Sequence, residues 1–141
     1  MKKTILKITL TAFAAACVIS FFNACSKEED KMIPPILEFK TGAGYTSADA
    51  TVSVSTPIKV GIHAEKTEGN DYLNTFTVSH SFDGGVLVQD STRVLLESEH
   101  DDFDEDVNFT TRSTTGTEAY YFTITNRDGL IVSDTLTLTV Q

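Results

Sequence analysis

The chain has 141 residues and a formal net charge of −9 at pH 7, a size and balance that suit one ordinary domain. The acidity argues against nucleic acid, whose phosphates call for clusters of Lys and Arg, and against peripheral attachment to anionic lipid. The only two cysteines, Cys17 and Cys25, both stand in the N-terminal segment, so no pair is left to cross-link the rest of the chain and stability falls to an apolar core.

At the N-terminus, Met1 to Lys7 carry three lysines and no acid, and Ile8 to Phe22 run apolar or small with Thr9, Thr11 and Ser20 as interruptions. This is the charged and then apolar pattern of a secretory signal. The apolar stretch of about 15 residues is shorter than the roughly 20 that a permanent membrane-crossing helix needs, so removal is expected. The segment that follows, Phe22-Asn23-Ala24-Cys25-Ser26, resembles the lipobox of bacterial lipoproteins, although that family prefers Leu at the position of Phe22 and a small residue at that of Asn23. The resemblance implies cleavage after Ala24 and a lipid on Cys25. Cys17 also follows small residues, but cleavage there would leave Val18 to Phe22 as an exposed apolar terminus.

Ser26, Lys27, Glu28, Glu29 and Asp30 resemble the acidic export tag of Bacteroidetes surface lipoproteins, with a solvated charged linker as the alternative. The expected organisation is a signal peptide over 1–24, an acidic flexible tether over 25–34 and one domain over 35–141. The expected address is the outer membrane, lipid-anchored and facing the exterior.

Within the domain, period-two alternation between turn signals predicts strands, and no segment carries a 3.6-residue apolar stripe. Strands are expected at Ile36 to Lys40, at Ala50 to Ser55 as an edge ended by Pro57, and at Ile58 to Glu65. Another is expected around Phe76, Val78, His80 and Phe82, followed by one bent or two short strands in Val86 to Leu96. The acidic stretch Glu97 to Asp106 reads as a loop ahead of Val107 and Phe109. Ala119 to Asn126, the turn Asn126 to Gly129 and the Thr-rich alternation to the C-terminus complete an all-β, immunoglobulin-like antiparallel sandwich of seven to eight strands. The closing hairpin resembles that of bacterial immunoglobulin-like and PKD-like domains. That resemblance implies Tyr120 at the tyrosine-corner position and Phe122 where an antibody domain has its second cysteine.

Chemistry-bearing groups are sparse. Asp101, Asp102, Asp104 and Asp106 could supply oxygens to calcium, but no glycine provides an EF-hand turn, and a solvated acidic loop is the preferred reading. His63, His80 and His100 have no metal-ligand spacing, and no glycine pattern frames a serine as a nucleophile, so no catalysis and no cofactor are expected. His80 reads as a hydrogen-bonded core residue. Tyr45, Tyr72 and Tyr121 are candidate stacking faces for sugars. Asp90-Ser91-Thr92 and Asp134-Thr135-Leu136 resemble the O-glycosylation acceptor motif of Bacteroidetes, which would place glycans on Ser91 and Thr135. The function expected is a cell-surface binding or spacer module. The alternatives are a glycan-binding accessory of a polysaccharide-uptake complex and a structural or adhesive subunit bound to another envelope protein.

Overall fold

The computed structural model describes residues 31–141; the expected signal peptide, Cys25 and the tag Ser26 to Asp30 lie outside the described residues. Eight strands follow in chain order: β1 (Ile36–Phe39), β2 (Ala50–Val52), β3 (Pro57–Glu65), β4 (Leu73–Phe82), β5 (Val88–Val94), β6 (Asp102–Thr110), β7 (Gly116–Asn126) and β8 (Ile131–Val140). One 3-10 turn, Glu97–Glu99, precedes β6. The strands form a three-stranded sheet in the order β1-β3-β6 and a five-stranded sheet in the order β2-β8-β7-β4-β5. The expected immunoglobulin-like sandwich is therefore observed.

Alternation builds the core. Ile58, Val60, Ile62 and Ala64 of β3 and Phe103 of β6 face Phe76 and Val78 of β4, Phe122 and Ile124 of β7, and Leu136 and Leu138 of β8. Each of the larger side chains contributes about 1.5–3 kcal/mol by leaving water. Phe122, at the position where the resemblance places a cysteine in antibody domains, meets Phe39 of the opposite sheet edge-on, with ring centroids 5.5 Å apart. An aromatic contact thus spans the two sheets.

Several expectations require correction. The acidic stretch is not all loop: β6 begins at Asp102, because Phe103, Val107 and Phe109 turn inward while Asp102, Asp104 and Asp106 turn outward with the same period of two. Its carboxylates masked a strand rather than interrupting one. The sheet is not wholly antiparallel, since the expected edge strand β2 pairs in parallel with β8, Ala50 opposite Leu138 and Val52 opposite Val140. Val86 and Leu87 lie outside the single strand β5. Residues 31–34, expected within the tether, are attached to the sandwich: the amides of Lys31 and Ile33 donate to Glu68 at 2.8 and 2.9 Å. Tyr120 donates to the side chain of Glu118 at 2.7 Å, a partner different from the upstream backbone group of a tyrosine corner.

Register gives the sandwich two distinct poles. At the near pole, Ile36 lies opposite Glu65, Glu65 opposite Asp102, and the loops are tied by amide bonds from Lys66 to Asp101, Leu73 to His100 and Arg127 to Tyr72. At the far pole, Pro57 lies opposite Thr110, Phe82 opposite Glu118, and Gly116 opposite Val140.

Candidate functional site

Two features stand apart from ordinary sandwich packing. The first is the outer face of the three-stranded sheet. Along β3, His63 is flanked in register by Glu38 of β1 and Asp104 of β6, with Glu65 and Asp102 one row nearer the near pole. His63 Nδ1 lies 3.3 Å from Asp104 and 3.7 Å from Asp102, and Nε2 lies 3.1 Å from Glu65. Burial opposes protonation of His63, but the hydrogen bonds to Glu65 and Asp104 and the charges of Asp102 and Asp104 outweigh it and raise its pKa.

Lysines answer the remaining carboxylates on this face. Lys40 Nζ sits 2.7 Å from Asp104 and Lys59 Nζ 2.8 Å from Asp106, while the Tyr45 hydroxyl donates to Asp106 at 3.0 Å. The hydrogen bond from Lys40 lowers the pKa of Asp104, and that from Lys59 lowers the pKa of Asp106. Lys66 pairs with Asp101. Gly61 makes the arrangement possible: a Cβ there would come within 2.7 Å of both Lys40 Cβ and the Tyr45 ring, so only glycine lets these two residues cross β3.

The four aspartates expected as calcium ligands are therefore not gathered around one point. Asp101 precedes β6, and Asp106 sits two register positions beyond Asp104, bonded to Lys59 and Tyr45. Calcium needs six to eight converging oxygens, and this ladder of ion pairs does not supply them. Asp102 and Asp104 instead converge on His63. No sequence spacing could have revealed that trio, because roughly forty residues separate the histidine from its partners and only strand pairing joins them.

The second feature is the far pole. Asp83 ends β4 in a turn, accepts hydrogen bonds from Arg112 at 2.8 and 3.2 Å, and accepts the Thr117 amide at 2.8 Å. The Arg112 guanidinium lies over the Phe82 ring at 4.4 Å. This clasp fixes the base of a loop whose next apolar residues, Val86, Leu87 and Val88, are 85%, 56% and 48% exposed. Val86 and Leu87 lie in the loop and Val88 opens β5, so the three make a short exposed apolar run at this end of the sandwich.

Other expected residues are dispersed. Ser91 on β5 and Thr135 on β8 are exposed, as an acceptor hydroxyl must be. His80 is half-buried, hydrogen-bonded to Asp90 at 2.7 Å and stacked on Phe82. Tyr72 stacks on His100 at 4.5 Å, and Lys59 lies over the Tyr45 ring at 4.8 Å, so neighbouring side chains use both rings. A cleft of about 210 Å³ opens between β5 and β6, lined by Phe76, Val78, Ser91, Arg93, Glu105 and Val107. It is smaller than the roughly 300 Å³ at which ligand pockets usually begin.

No family model matches the chain, and no curated protein matches it in sequence. Among solved structures it is similar to the superoxide reductase (neelaredoxin) from Ignicoccus hospitalis, with a TM-score of 0.52 and 10% identity over 77% of this chain and 81% of that one. A single-residue variant of that enzyme gives a TM-score of 0.51 and 13% identity over 77% and 80% of the two chains. Murine CRIg aligns with a TM-score of 0.40 and 12% identity over 76% of this chain and 98% of that one. The reductase likeness corrects the expectation that the chain is not an enzyme. The same sandwich carries catalysis in superoxide reductase, so the fold offers no ground for excluding it. At this identity the likeness concerns the fold alone.

Proposed function

We propose that the chain is a lipid-anchored envelope protein whose immunoglobulin-like sandwich is a binding module, attached near one pole and engaging a protein partner with the loop tip at the other. The polarity of the sandwich carries this reading. The described chain begins at Lys31, tied to Glu68 at the near pole, while Val86, Leu87 and Val88 are exposed at the far pole. Lys31 follows Cys25 by six residue steps, a reach of at most about 20 Å when extended. Strands of about ten residues make the sandwich roughly 30 Å long. A lipid on Cys25 would therefore hold the near pole close to the membrane and leave the Val86 loop as the more distant surface. Two or more acyl chains anchor durably without a spanning helix.

Fractionation tests the anchor and the tip together. Wild type is expected in the membrane fraction and C25S in the soluble fraction; membrane retention of C25S would overturn the anchor. With the anchor kept, replacing both Val86 and Leu87 by Ser should leave thermal unfolding nearly unchanged, since both are exposed. A photo-crosslinker at Ser91 should give an envelope-protein adduct in wild type that the double variant loses; an undiminished adduct would contradict the tip as the contact.

A further inference from the structure

We infer that His63, Asp102 and Asp104 form a binding site for a divalent cation of the zinc class on the outer face of the three-stranded sheet. One donor atom from each residue lies within 4.8 Å of the others. The two separations from Nδ1, 3.3 Å to Asp104 and 3.7 Å to Asp102, bracket the ligand-to-ligand edges of a tetrahedral zinc site. Bonds of about 2.0–2.2 Å at the tetrahedral angle set those edges at roughly 3.3–3.6 Å.

Both ring nitrogens of His63 meet carboxylates, Nε2 with Glu65 at 3.1 Å and Nδ1 with Asp104 at 3.3 Å, so a metal ion bound at Nδ1 would take the place of a proton there while Glu65 keeps its hold on Nε2. A carboxylate behind a ligating imidazole is also the usual second partner of a metal-bound histidine, fixing its orientation and raising its basicity. The backbone is held as well, since His63 lies on the central strand with both neighbours paired.

The donor set selects the metal. One imidazole with two carboxylates suits zinc, cobalt, nickel or copper, whereas calcium and magnesium prefer oxygen alone. Water would complete the coordination. Lys40 opposes binding, because its ammonium sits 2.7 Å from the Asp104 oxygen nearest His63 and must turn aside. This competition makes an unusual prediction: removing a charge that touches no metal should tighten the site.

The test is calorimetric titration of Zn²⁺ into the full chain in detergent, with Cys17→Ser and Cys25→Ser so that no thiolate competes. One zinc per chain is expected. H63Q should weaken binding at least tenfold, D102N with D104N should do the same, and K40M should strengthen it. Calcium at equal concentration should give no comparable heat. Zinc should move the ¹⁵N imidazole resonances of His63 while leaving those of His80 and His100 in place. Unchanged affinity in H63Q, or zinc-dependent shifts confined to His80 or His100, would overturn the assignment.

Discussion

Arg112 holds the fully buried carboxylate of Glu118 twice, through its backbone amide at 2.8 Å and its Nε at 3.1 Å, both to the same oxygen. The other oxygen accepts the Tyr120 hydroxyl at 2.7 Å. The far pole thus has a charged, hydrogen-bonded floor beneath the Asp83 turn. Removing the cation would leave a carboxylate in a dry site with two neutral donors. R112A should therefore lower the urea midpoint of unfolding, because Glu118 stays buried while it loses its cation and one of its donors. A midpoint equal to that of the wild type would mean that the two remaining donors suffice.

Acid should act through the carboxylates whose pKa is lowered, Asp83 and Glu99 beside Asp104, Asp106 and Glu68. Hydrogen bonds from Arg112 and from the Thr117 amide lower the pKa of Asp83, and those from Arg93 and the Leu96 amide lower that of Glu99. A carboxylate whose folded pKa lies below its unfolded value lends stability above the unfolded value, here around pH 4 to 4.5, and loses it as pH falls through the folded one. Melting temperature should fall on acidification below about pH 4.5, and D83N should flatten part of that slope. An identical slope in D83N would remove Asp83 from the account.

Gly61 offers a steric test of the crossing on the three-stranded sheet. Lys40 and Tyr45 pack where a side chain would stand, and the Lys40 amide bonds the Gly61 carbonyl at 2.8 Å. G61V should cost about 1–3 kcal/mol, the range for overpacking. It should also displace Lys40 and Tyr45 from Asp104 and Asp106, visible as a rise in the carboxyl pKa values by NMR. Wild-type stability with unshifted carboxylates would contradict the crossing.

Much of this architecture was legible because burial on one face imposes a period of two. Ile58 to Ala64, Phe76 to Phe82 and Tyr120 to Ile124 read directly as inward rows, whereas the edge strand ends at Val52 and Pro57 opens β3 instead of closing the edge segment. In Glu97 to Asp106 the density of charge hides the period of two, and Phe103 is the one residue there that marks the inward face of β6. The parallel pairing of β2 had no local signal: three residues carry too little pattern to fix a direction. The His63 site and the Arg112 clasp depend on strand pairing and sheet stacking between distant segments, which local pattern does not encode. Acidic residues were correctly noticed in β6, but which of them converge follows from their register with β3.

Protease accessibility on intact cells, comparing wild type with a chain in which Lys27, Glu28, Glu29 and Asp30 are all alanine, tests the central claim of anchored display most directly. The account predicts that external protease digests the wild type, that the alanine variant is protected, and that both are digested once the cells are lysed. Protection of the wild type on intact cells, with normal digestion after lysis, would contradict display at the exterior and place the module on the inner side of the outer membrane.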